Sequence, residues 1–186
     1  MVERMIAATG PPPLIPISKP ELEAFAARTN GTTRTLKCRT VAVGRFRQEH
    51  HVRDLPSFGA TVIETPELLD ENTAPNPSET LLSALGSCLV VGIHANAVAR
   101  AIPIRSLELE ISAEINFAAL WGTGDLELKP IGFEVINVVV HIEADASRPV
   151  LKALVDYATL WSPVANTLHN PVHLDVELSG REIGAA

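Results

Sequence analysis

The chain has little sulfur and no concentration of positive charge. Two cysteines, Cys38 and Cys88, stand in 186 residues. That is too few for a secreted disulfide framework or for a four-thiolate zinc site. No HExxH or paired CxxC pattern occurs, and nothing resembles a P-loop or a dinucleotide fingerprint. Neither a metal ion nor another cofactor is therefore expected. The histidines do not change this. His50 and His51 point to opposite faces if they lie in a strand, and His94 follows Cys88 by six residues, about 240° around a helix. There is no long basic run, and the formal net charge is −7, which argues against a nucleic-acid groove and favours solubility. No uncharged apolar run of the roughly 18 residues needed to cross a bilayer is expected. The first residues carry Glu3, Arg4 and a proline cluster in place of the apolar core of a secretory signal. These absences together predict a cytoplasmic protein without nucleic-acid or membrane partners.

Hydrophobic residues make up 46% and charged residues 20% of the chain, as in ordinary globular proteins. The length suits one domain with an appended arm. The arm is placed at residues 1–33: a Pro-rich stretch to residue 17, then a short helix over KPELEAFAART, with Pro20 in its first turn and Asn30-Gly31 ending it. The domain is placed at 34–186. Its opening reads as β structure, with Leu36, Cys38, Thr40 and Ala42 on one face, the face expected inward, and a bulge or turn at Gly44. ATVIET, residues 60–65, is a third short strand, followed by the turn-rich loop PELLDENTAPNP.

A long helix follows. Asn76 is a good N-cap, Pro77 suits the first helical position, and Glu79 stands three residues after the cap. From Leu81 to Ile102 nearly every side chain is apolar or small, the composition of a helix covered on all sides. SLELEISAEINF alternates apolar residues with Glu108, Glu110 and Glu114, a half-buried strand. LWGTGDLELKP connects it to a partner strand, GFEVINVVVHIEA. SRPVLKALVDYATLW is a second helix, Ser162-Pro163 interrupts it, PVANTL restarts a turn, and VHLDVELSG is the last strand. The order reads as an α+β fold with largely antiparallel sheets.

Cys88 is the first chemical candidate. A free cysteine inside an apolar helix is most often a small buried hydrophobe. A reactive thiol needs a cation or a helix N-terminus nearby, and Cys88 lies too deep in its own helix to use that helix's dipole. NPSETLLSALGSCL resembles the first motif of the OsmC/Ohr family, the osmotically induced protein C and organic hydroperoxide resistance proteins: Asn/Ser-Pro-x-Glu-x-Leu-Leu-x-Ala-Leu-x-x-Cys. LWSPVANTL resembles the second, Cys-Pro-x-Ser/Ala-x-x-Leu. The resemblance covers roughly residues 34–180.

The resemblance implies antiparallel sheets wrapped around a long buried central helix, in an intertwined homodimer with shared active sites. It also implies a thiol peroxidase whose partners are a small organic hydroperoxide and a thiol reductant. Cys88 would be the peroxidatic thiolate, activated by a strand arginine, Arg45 or Arg47, with Glu79 as the motif glutamate. The second-motif position is Ser162, which cannot form a disulfide, and Ser78 stands where hydroperoxide reductases often carry glutamate. An external thiol would then have to clear the oxidised sulfur. Glu79 precedes Cys88 by nine residues, a rise of about 13 Å and half a turn out of phase. It can reach a thiol only across a second subunit, and its local role is the capping box. Arg53 is a further strand arginine, and Cys38 a structural rather than a resolving thiol. Phe117, Trp121, Phe133 and Trp161 pack a core or wall an apolar pocket. The alternative to a peroxidase is a binding or structural protein on the same fold, with Cys88 merely packed. A hydrolase using Ser162 lacks a histidine base beside it in sequence.

Overall fold

The computed structural model describes residue 14 and residues 17–29, 33–44, 47–56, 58–61, 75–115 and 132–178. In chain order the elements are α1 (Lys19–Thr29), β1 (Cys38–Gly44), β2 (Arg47–Val52), β3 (Phe58–Thr61), α2 (Pro77–Ala99), β4 (Ile104–Ile115), β5 (Phe133–Ala144), α3 (Arg148–Leu160) and α4 (Pro163–His169). The fold is α+β, with β1-β2-β3 in one antiparallel sheet and β4-β5 in another.

The β4–β5 register follows the alternation of the two sequences. Leu107 faces Ile142, Leu109 faces Val140, Ile111 faces Val138 and Ala113 faces Ile136, while Glu108 pairs with His141 and Ser112 with Asn137 on the other face. A slip of one residue would turn the apolar row into water. This row packs with two helical stripes. On α2 the buried residues Leu85, Leu89, Ile93 and Ala97 recur every fourth position, and on α3 Leu154 and Ala158 do the same. Ile93, Ala97, Leu154 and Ala158 form the centre of the core, with Leu107, Leu109 and Val140 against it. The helix comes close to the sheet at Gly86, where an added Cβ would lie 3.0 Å from Ile111 Cδ1.

Helix ends are set by local chemistry. Asn76 and Glu79 form a reciprocal capping box, with Asn76 Oδ1 accepting from the Glu79 N–H at 2.7 Å and Glu79 Oε2 accepting from the Asn76 N–H at 2.8 Å. Ser18 and Glu21 make a similar box at α1, and the Ser18 hydroxyl and N–H hold the Glu21 carboxyl below the usual carboxylate range. At the end of α2 the Ile102 N–H donates to Ala97 O (2.9 Å) and the Ala101 N–H to Val98 O (3.1 Å). That is a Schellman motif, and its left-handed residue is Ala101 (φ 54°) rather than glycine.

Four expectations change. First, α2 is covered along one face only: Leu81, Ser83, Ala84, Ser87 and Val91 are exposed. Within the single chain its apolar composition all round is matched by neighbours on one side. Second, Cys38 is exposed, as are Leu36, Thr40 and Ala42. Alternation sorted these residues onto one face, but no described element packs broadly on either face of the β1-β2-β3 sheet. Third, residues 171–178 are extended yet unpaired, with Val172, Leu174, Val176 and Leu178 between 62% and 99% exposed. Their strand alternation has no ladder partner among the described residues. Fourth, one segment does reach membrane-spanning length and composition. It is α2, with a mean hydropathy of 1.7 over its most apolar window, and its buried stripe is that of a core helix. The bulge expected at Gly44 is present as a register shift between Ala42 and Gly44. The third strand falls at 58–61, and residues 62–65 lie outside the described residues, as does the connection LWGTGDLELKP.

Candidate active site

Cys88 sits at the edge of the buried stripe of α2, half-buried, between Leu85 and Leu89. The helix carries four polar side chains along its length at little cost, because they bond to its own backbone. The Ser83 hydroxyl donates to Glu79 O (2.8 Å), the Ser87 hydroxyl to Ser83 O (2.9 Å), and the Asn96 amide to Gly92 O (2.8 Å). Thr80 does the same to Asn76 O at 2.9 Å.

The turn between α3 and α4 brings Ser162 to Cys88. Packing of Ala158 near Gly92, with a would-be Cβ contact of 3.5 Å, lets the two helices approach closely. One turn further on, the Ser162 hydroxyl donates to Cys88 Sγ at 3.1 Å. Ser162 is only 3% exposed and is the one buried polar residue among those described. It is also the N-cap of α4, its Oγ accepting the Ala165 N–H at 3.2 Å. Its N–H donates to Thr159 O at 3.2 Å, and its carbonyl accepts from the Asn166 N–H (3.0 Å) and Asn166 Nδ2 (2.8 Å). The same amide also donates to Leu160 O at 2.8 Å. Asn166 therefore clamps the turn that delivers the hydroxyl. Sequence reading passed over it; an amide four residues after the serine of a Ser-Pro helix start was the available signal.

An open cleft of about 490 Å³ is lined by Leu85, Leu89, Phe133, Val138 and Leu168 and also by Glu134, Thr159 and His169; Cys88 and Ser162 are not among its lining residues. Ala165, which donates to Ser162, lines it as well. Of the aromatic residues singled out, Phe133 thus lines a pocket, Trp161 is exposed beside Tyr157, and Phe117 and Trp121 lie outside the described residues.

The remaining candidates fall elsewhere. Glu79 is at the start of α2, engaged in its cap. Arg45 lies outside the described residues; Arg47 begins β2, opposite Gly44, and its side chain is not among those described. Arg53 is exposed in the turn after β2. Both cysteines are free thiols. His50 bonds to Thr40 across the strands at 3.0 Å while His51 lies 3.5 Å from Glu49, so the two imidazoles do face apart. Among the described residues no three His, Cys, Asp or Glu side chains cluster closely enough for a metal ion.

A family model described as OsmC-like protein matches residues 70–177, a span that holds α2 with Cys88 and the turn with Ser162. The chain belongs to the OsmC-like protein family. Solved structures agree on the fold. An OsmC-like protein from Mycoplasma pneumoniae superposes with a TM-score of 0.63 at 18% identity, covering 74% of this chain and 89% of that one. An organic hydroperoxide resistance protein OsmC from Legionella pneumophila gives 0.53 at 18%, covering 74% and 90%. An OsmC-like protein of unknown function from Vibrio cholerae gives 0.54 at 11%, covering 73% and 94%. No curated protein matches the chain.

Proposed function

We propose that this OsmC-like protein reduces organic hydroperoxides through Cys88, with an external thiol completing the cycle. The observation that carries the reading is the Cys88–Ser162 contact: a half-buried thiol with a buried hydroxyl donor at 3.1 Å. Leu85 and Leu89, the neighbours of Cys88 on α2, line a cleft of mixed apolar and polar walls, and concave sites of that kind take small molecules. The Cys88 thiolate attacks one peroxide oxygen of ROOH, the O–O bond breaks, and ROH leaves once its alkoxide takes a proton; the sulfur becomes a sulfenic acid. One external thiol, R′SH, then condenses with the sulfenic acid, releasing water and leaving a mixed disulfide. A second R′SH frees Cys88 and departs as R′SSR′. The sum is ROOH + 2 R′SH → ROH + H2O + R′SSR′. Ser162 cannot take the place of the first external thiol, because oxygen forms no disulfide.

In the same reading the working form is a cytoplasmic homodimer whose central helices pair. The uncovered face of α2 supports this. Ala84 and Val91 are exposed there, and the hydroxyls of Ser83 and Ser87 are already satisfied within the helix. Such a face can be buried without stranding a donor. The unpaired stripe of Val172, Leu174, Val176 and Leu178 is a second apolar surface of the kind that marks an interface. Across such a pair Glu79, and Arg45 or Arg47, would reach the partner's thiol, the guanidinium lending the charge that favours thiolate.

A second reading, a binding or structural protein with an inert Cys88, is favoured by Ser162 in the place of a second thiol. Turnover separates the two. Purified protein given cumene or fatty-acid hydroperoxide and a small dithiol should consume peroxide, and Cys88→Ser should lose at least about 100-fold of that rate, the loss expected when a nucleophile is removed. No consumption by the unaltered protein would leave the binding reading.

A further inference from the structure

We infer that the Ser162 hydroxyl is a group within the chain that favours Cys88 as a thiolate, so that the serine supplies a hydrogen bond where a second thiol would supply a disulfide. The inference rests on Cys88 being the reacting thiol, though not on which oxidant it meets. A serine hydroxyl has one proton and two lone pairs. One lone pair is used by the Ala165 N–H at 3.2 Å. At 3% exposure the proton has little access to water, and among the described residues the acceptor within its reach is Cys88 Sγ at 3.1 Å.

That arrangement discriminates between the two states of the sulfur. A neutral thiol is a weak acceptor, whereas a thiolate is a strong one, and hydrogen bonds to ionised groups are roughly twice as strong as neutral ones. Protonating Cys88 leaves a buried hydroxyl poorly satisfied, while ionising it pairs that hydroxyl well. The hydroxyl is held in place while this happens, because the Ser162 N–H is tied to Thr159 O and its carbonyl to both nitrogens of Asn166. Asn166 is thus a positioning residue. Capping alone does not account for the geometry. The cap uses a lone pair and asks nothing of the proton, and a helix-start serine has no need to be buried against a sulfur 74 residues away.

The test reads the thiolate without any peroxide. The full chain is alkylated with iodoacetamide across a pH series, and labelling of Cys88 is followed on its peptide by mass spectrometry. Ser162→Ala and Ser162→Gly remove the hydroxyl, and glycine keeps most of the cap's worth. Both should move the Cys88 labelling midpoint upward by roughly one to two pH units, the scale of a hydrogen bond to a charged group. Ser162→Thr, which keeps the hydroxyl, should restore it, and Asn166→Ala should shift it part of the way. Midpoints unchanged in the alanine and glycine variants overturn the inference, as does a threonine variant that shifts as far as they do. Peroxide consumption that depends on Cys88, together with unshifted midpoints, would sink this inference alone. Shifted midpoints without peroxide consumption would keep it and sink the peroxidase.

Discussion

The two faces of α2 have nearly the same composition and opposite surroundings. Leu85, Leu89, Ile93 and Ala97 are buried along one stripe, whereas Ala84 and Val91 on the other face are exposed, Val91 at 67%. Cys88 lies between them, half-buried, with its sulfur against the Ser162 hydroxyl. One face is thus a finished core and the other has the makings of a contact surface. A reactive thiol at their border can be anchored from within its own chain and still be completed by a second one.

The contrast can be broken most sharply at the core. Ile93→Ala should destabilise the protein by about 2–5 kcal/mol in denaturant unfolding, because Ile93 is almost fully buried between β4 and α3 and its cavity cannot refill. A cost below ~1 kcal/mol would show that the buried stripe is not the core. Next comes the open face. Val91→Asp should weaken self-association by about tenfold or more, read by sedimentation, since a carboxylate sealed into a helix pair has no partner. Retained dimer would place the interface elsewhere, and unfolding as severe as that of Ile93→Ala would erase the distinction between the faces. The smallest effect belongs to the end of the helix. Ala101→Gly should stabilise by about 0.5–1 kcal/mol, because Ala101 holds a left-handed φ of 54° inside the Schellman motif. A melting temperature that falls instead would deny that this residue is strained.

What could be read from sequence was what local chemistry decides. Asn76-Pro77 and Glu79 announced the start of α2, and Ser162-Pro163 announced that of α4, because capping needs only three or four consecutive residues. The alternation in β4 and β5 foretold their paired apolar face for the same reason. Inference from pattern to cover held for β4, β5 and α3 and not for the early strands or the C-terminal segment. Cys38 and Thr40 do share a face, with Sγ and Oγ1 4.0 Å apart, and yet nothing described covers them. Residues 172–178 alternate like a strand and find no ladder among the described residues. Period reports which residues share a face, not what lies opposite it. The approach of Ser162 to Cys88 spans 74 positions, so no spacing rule contains it. Only the resemblance of both motifs to one family put them at a shared site, and even that proposed no hydrogen bond between them.

The central claim is that Cys88, not Cys38, is the reacting thiol. The most direct measurement is peptide mass spectrometry after a single equivalent of cumene hydroperoxide, with a sulfenic-acid trap present. The account predicts trapped sulfenic acid on the Cys88 peptide and little on that of the exposed Cys38. Equal labelling of the two cysteines, or an unmodified Cys88, would contradict it.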